Sequence, residues 1–176
     1  MQTSQDMDIP PPFLSSVTTF LSLIDIDQVV LSIGSGSGEI LERFKKRGYH
    51  VVGLEPDPQL CQESRERGFE VVEGSLANIA TLKLPKNIGG VWAGAAFAHT
   101  SRSDLEHILE VIHLLLQQKG ALFLSVPKGQ GERFEEGHLT QFYSEEEFKK
   151  LLEEKYFEIV LLENSTPALI TAVVTR

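Results

Sequence analysis

Cysteine is nearly missing from this chain. Cys61 is the only one in 176 residues, so a disulfide framework is excluded. Beside Leu60 on a helical stretch, it reads as a packed thiol rather than a reactive one. Basic charge is scarce too: 16 Lys and Arg stand against 25 Asp and Glu, a net charge of −9. A nucleic-acid partner is not expected, because phosphate contacts need clustered Lys and Arg. No apolar run approaches the roughly 20 residues needed to span a bilayer, so no membrane partner is expected. The stretch Met1–Asp8 lacks the basic segment of a secretory signal, and a cytoplasmic location is the expectation. Repeats and low-complexity tracts are absent. His107 and His113 have no partner at metal-ligand spacing, and no metal is expected.

What is present is a strand that runs into bare backbone. Val29-Val30-Leu31-Ser32-Ile33 is apolar and β-branched enough for a strand buried on both faces. Gly34, Gly36 and Gly38 follow at every second position. They let the chain turn sharply and let a ligand approach without Cβ atoms in the way. Residues 39–47 then carry apolar side chains at Ile40, Leu41 and Phe44, with Gly48 as the stop, which predicts a helix. A helix N-terminus offers unpaired N–H groups and partial positive charge, so strand, glycine turn and helix together make a cradle for a nucleotide cofactor. The spacing is Gly-x-Gly-x-Gly. A dinucleotide fingerprint would place its third glycine at 39, where Glu39 stands, and this disfavours a nicotinamide-dependent reductase.

A second strand, His50–Leu54, ends in Glu55, about twenty residues past the first glycine, where a carboxylate can take two ribose hydroxyls. The plainer alternative is a surface Glu near a helix start. Asp57 reads as the cap of the next helix and Pro58 as its first residue. Phe69–Glu73 reads as strand three and Ile88–Ala93, carrying Trp92, as strand four.

These stretches, with Phe-Glu-Val-Val-Glu-Gly-Ser-Leu (69–76), Gly-Val-Trp-Ala-Gly-Ala-Ala-Phe-Ala-His (90–99) and Gly-Ala-Leu-Phe-Leu-Ser-Val (120–126), resemble class I S-adenosylmethionine-dependent methyltransferases in order and content. The tail is similar to a small bacterial subgroup of that family. The resemblance implies an α/β fold: a Rossmann-like three-layer sandwich with helices on both faces of a seven-stranded, mostly parallel sheet, closed by an antiparallel C-terminal hairpin. It implies methyl transfer from S-adenosylmethionine to an O, N or S nucleophile, with a small molecule as acceptor. The cofactor set it implies is Ser32, Gly34, Ser35, Gly36, Ser37, Gly38, Glu55, Pro56, Ser75, Leu76, Ala95 and Ala96, with the cofactor carboxylate on N–H groups near Ser35, Ser37 and Gly38. Ser32 and Ser75 stand where the family usually has acids. The alternative is a methyltransferase-like interaction module with weak or absent cofactor binding.

The length suits one domain over 13–176, with 1–12 as a mobile lead-in and a monomer or homodimer as the assembly. Phe13, Val17, Phe20, Leu21 and Ile24 recur at helical spacing. His99 is a candidate general base, or else a histidine that anchors its loop to backbone. Ser103 with Glu106 reads as a capping box, and residues 117–120 as the stop before strand five at 121–126. Residues 127–142 read as a long irregular loop and a substrate wall, with Lys128, Arg133, His138, Tyr143 and His99 as polar groups. Ser144 caps the following helix. Residues 157–162 and 169–175 read as the closing hairpin.

Overall fold

The computed structural model describes residues 13–94 and 96–176. The expected lead-in 1–12 and Ala95 lie outside the described residues. All five residues of β1 (Val29–Ile33) are buried, as a strand covered on both faces must be. Parallel strands pair outward from it: β2 (His50–Glu55) and β3 (Glu70–Glu73) on one side, β4 (Ile88–Ala93) and β5 (Leu116–Pro127) on the other. β9 (Leu169–Thr175) joins antiparallel to β5 and carries β8 (Glu158–Thr166) on its far side. The seven-stranded order is β3-β2-β1-β4-β5-β9-β8, and β9 alone runs against the rest.

Side-chain alternation divides the core into two layers. Val30, Trp92 and Phe123 pack under α1 (Leu14–Ser22), α2 (Glu39–Lys46) and α3 (Pro58–Glu66). Leu31, Val91 and Leu122 pack under α4 (Arg102–Leu115) and α5 (Glu145–Glu154). The expected three-layer sandwich is therefore present. Asp57 caps α3 by accepting the Gln59 and Leu60 N–H groups, and Ser144 and Glu147 form the capping box of α5.

Four expectations need correction. The cap of α4 is Ser101, whose hydroxyl accepts the Asp104 N–H, and not Ser103. The stop at 117–120 is already strand: Leu116 is extended and pairs with Ile88, although Gln117, Gln118 and Lys119 are exposed. Gln117–Gly120 fall in the register shift between the Leu116 and Ala121 pairs, with Lys119 at a φ of +62°, so these polar residues bulge out of the ladder. The irregular stretch 127–142 contains a two-stranded hairpin, β6 (Glu132–Glu135) and β7 (His138–Gln141). Its turn residues Glu136 and Gly137 both have positive φ, +51° and +81°, as a two-residue hairpin turn requires. All of β6 is exposed, so no buried face imposes an apolar alternation to read. The closing hairpin is also longer than expected, with β8 reaching Thr166.

Candidate functional site

β1, β2 and β4 end at one edge of the sheet, and the loops that leave them enclose a cleft. The glycine turn has φ of +67° at Gly34, +57° at Gly36 and +95° at Gly38. A Cβ added at Gly34 or Gly36 would meet nothing within 4 Å, so both face open space. At Gly38 it would stand 2.7 Å from Ser64 Oγ and 2.9 Å from the Phe69 ring. The first two glycines keep the cleft bare, whereas the third seats the turn against α3 and β3.

Backbone and carboxylate bonds fix the turn. Gly34 and Ser35 N–H donate to the Leu54 carbonyl at 2.8 and 3.3 Å, and Gly38 N–H donates to Ser35 O at 3.1 Å. Glu55, 5% exposed, accepts the Gly36 N–H on Oε2 at 2.8 Å and the Asp57 N–H on Oε1 at 3.1 Å. Arg67 donates to the Ser37 carbonyl at 2.7 Å. Sequence reasoning assigned Glu55 to a ribose and missed that it holds the glycine turn in shape. A carboxylate has about four acceptor positions, so each oxygen keeps capacity toward the cleft that Glu55 lines.

Two cavities share Ile33, Gly34 and Ala96. The first, about 400 Å³, is lined by Glu55, Pro56, Ser75, Leu76 and His99 among others. The second, about 340 Å³, is lined by Ser32, Ile40, Trp92 and Gly94. Ser32 is 1% exposed and its hydroxyl has no partner. Ser35 is placed differently: its buried, unpartnered Oγ would lie 2.5 Å from a Cβ at Gly53, so it packs beneath the turn. The N–H groups of Ser35 and Gly38, expected to hold a cofactor carboxylate, are spent inside the turn. That leaves the Ser37 N–H and the first turn of α2, whose N-cap Gly38 supplies no side-chain cap. Ser75 donates both its N–H (2.8 Å) and its hydroxyl (3.3 Å) to Asn78 Oδ1, which leaves its oxygen as an acceptor.

His99 lines the first cavity, and its Nδ1 lies 2.9 Å from the Leu139 carbonyl of β7. A carbonyl only accepts, so Nδ1 carries the proton and a neutral ring keeps its lone pair on Nε2. The His138 ring is 5.5 Å from that of His99. Lys128, Arg133 and His138 border neither cavity. Arg133 sits 3.7 Å from Glu135 and over the Phe142 ring. Tyr143, expected on a substrate wall, is fully buried with its hydroxyl unpartnered, and that burial pushes its pKa up to about 12. Trp92, Ile40, Gly74 and Thr100 line the cavities without having been singled out from sequence. The only signal available for Trp92 was a large amphipathic ring at the end of a buried strand. Among the described residues, no three His, Cys, Asp or Glu side chains gather as a metal site, and no helix is long and apolar enough to cross a membrane.

A seven-stranded sheet with one reversed strand and a cleft over its glycine turn defines the class I S-adenosylmethionine-dependent methyltransferases. A family model described as "Methyltransferase domain" matches residues 31–124, more than half of the chain, and the chain belongs to that family. An uncharacterized methyltransferase of Alkaliphilus oremlandii is 22% identical over 166 residues, covering 89% of this chain and 76% of the relative. The C-methyltransferase NovU of Streptomyces niveus is 30% identical over 110 residues, 61% of this chain and 26% of that protein. Among solved structures, an S-adenosylmethionine-dependent methyltransferase of Mesorhizobium loti superposes with a TM-score of 0.75 at 14% identity, over 94% of this chain and 98% of that one. The 1,6-didemethyltoxoflavin-N1-methyltransferase of Burkholderia thailandensis, with S-adenosylhomocysteine bound, gives 0.75 at 20% identity, over 97% and 79%. These likenesses are of fold.

Proposed function

We propose that the twin cavities hold S-adenosylmethionine and that the chain transfers its methyl group to a small nucleophile admitted beside His99. The observation that carries this is the open space over Gly34, which lines both cavities. The buried, unpartnered Ser32 hydroxyl fits the same group, since a polar atom sealed from water without a partner is costly. Glu55 would take the ribose with its remaining acceptor positions, and Pro56 and Leu76 would flank the adenine. Bound there, the cofactor supplies a methyl carbon already activated by its sulfonium. The protein has to align the nucleophile and accept its proton, and the lone pair on Nε2 of His99 would serve the second task.

A small acceptor suits a cleft of this size and a chain of net charge −9. The Burkholderia enzyme is named for N-methylation and NovU for C-methylation, so this fold serves more than one acceptor atom. The non-catalytic reading would be favoured by a cleft filled with the protein's own side chains, and the cleft is open. Calorimetry with S-adenosylhomocysteine tests the proposal. Micromolar binding that disappears in Glu55→Ala supports it, and no binding below millimolar concentrations overturns it.

A further inference from the structure

The glycine turn spends its backbone unevenly. Gly34 and Ser35 N–H donate to Leu54 O, Gly36 N–H to Glu55, and Gly38 N–H to Ser35 O. The peptide plane between Gly36 and Ser37 makes no hydrogen bond at either end among the described residues. It carries the Ser37 N–H, and Gly36 at its other end lets it rotate at little steric cost. Its direction is therefore set by the planes on either side. The one before it is held by Glu55, through the Gly36 N–H. The one after it, between Ser37 and Gly38, is clamped twice: Ser35 O accepts the Gly38 N–H at 3.1 Å, and Arg67 donates to the Ser37 carbonyl at 2.7 Å.

Arg67 is well placed to hold that carbonyl. It is the C-cap of α3, directly before Gly68. Its second terminal nitrogen donates to Glu42 of α2, and its guanidinium lies over the Phe69 ring at 5.6 Å. The same ring lies where a Cβ at Gly38 would strike it. Ser37, Glu42 and Phe69 thus occupy two edges and a face of one planar group, which orients a side chain that is still 36% exposed. Arg67 lines neither cavity, and Glu42 meets its charge.

Resting on the reading of the cleft as the methyl-donor site, we infer that Arg67 is a positioning residue for the donor. By holding the Ser37 carbonyl on the α3 side of the turn, it keeps the Ser37 N–H free for the amino-acid end of the ligand. It acts by direction and not by charge, and from outside the cleft.

Two ligands test this by calorimetry on the intact protein: S-adenosylhomocysteine, and 5′-methylthioadenosine, which keeps the sulfur and lacks the amino-acid end. Arg67→Met keeps an apolar stem beside Phe69 and removes the donors. It should weaken S-adenosylhomocysteine by about 5- to 10-fold, the range of a half-exposed hydrogen bond from a charged donor. Methylthioadenosine should stay within about twofold of wild type, because the lost bond lies away from the adenosine. Arg67→Lys, a donor without the fork, should recover part of the loss. Glu42→Gln removes the charge pairing between α2 and Arg67 but leaves Ser37 bonded, and should keep S-adenosylhomocysteine within about twofold of wild type. In about 0.5 M NaCl, which shortens the Debye length to about 4 Å, the deficit of Arg67→Met should persist. The inference is overturned, while the donor site stands, by any of three results: Arg67→Met weakening both ligands alike or neither, Glu42→Gln matching Arg67→Met, or a deficit that salt abolishes. If S-adenosylhomocysteine fails to bind the wild-type protein, the donor site falls and the inference falls with it.

Discussion

The glycine turn and the β6–β7 hairpin are built in opposite ways. The glycine turn is tied to β2 by backbone bonds, to the Glu55 carboxylate and to Arg67, and it follows β1, whose residues are all buried. The β6–β7 hairpin is rooted but not covered. At its root, Tyr143 N–H donates to Pro127 O and Gly129 N–H to Tyr143 O, both at 2.9 Å, and the Tyr143 ring is sealed in the core. Beyond the root β6 is wholly exposed, including Phe134 at 72%, and His99 reaches across to Leu139. The difference teaches how far each can vary. The turn is held by groups the sheet cannot move, whereas the outer residues of the hairpin can change without disturbing the core.

The comparison can be broken hardest at Glu55. Glu55→Ala removes two charge-assisted bonds to backbone, and we expect a stability loss of about 3 kcal/mol in urea titrations together with at least about 100-fold weaker S-adenosylhomocysteine binding. Glu55→Gln, which keeps one acceptor oxygen, should fall between. An Ala variant that binds normally would show that the turn holds itself. A smaller effect sharpens the contrast at the start of α4, just after His99: Ser101→Ala should cost about 1 kcal/mol as a lost cap. Ser103→Ala should stay within about 0.5 kcal/mol in the same thermal melts. Where His99 meets the hairpin, His99→Ala should cost less than about 1 kcal/mol of global stability, yet accelerate amide exchange in 132–141 and leave S-adenosylhomocysteine binding nearly unchanged. Smallest at neutral pH is Tyr143→Phe, which removes an unpaired buried hydroxyl and should be neutral or slightly stabilising. Its signature is alkaline. The folded pKa of Tyr143 is raised from the usual 10 to about 12, so the native state holds the proton more tightly. The resulting stability is complete below pH 10 and is lost as pH rises from 10 toward 12. Denaturation at pH 9 and 11 should show wild type losing more stability than the variant.

The glycine turn was legible in the sequence and the hairpin was not, for the same physical reason. β1, β2 and β4 are buried, and burial writes itself into residue type: Val29–Ile33 can hardly be anything but a covered strand. The glycines at 34, 36 and 38 advertise a backbone conformation that other residues resist. Glu132–Glu135 and the bulge at Gln117–Lys119 depend instead on what lies alongside them, and solvent-facing residues record no neighbour. The α4 cap was misplaced by two residues because Ser101 and Ser103 are both good caps and only the chain's direction chooses between them. Within the cleft, residue identities pointed to the edge of the sheet where the cavities lie but not to hydrogen-bond direction. Ser35, expected as a ligand contact, packs its side chain under the turn, and Glu55 holds the turn as well as lining the cleft.

One more property follows from the strand order. β9 lies between β5 and β8, yet it is the last of the seven strands to leave the ribosome. Until residues 169–175 are in place, β8 has nothing to pair with in the sheet and the β5 edge stays open. A nonsense codon just before Leu169 would therefore cost the sheet two strands for the loss of one.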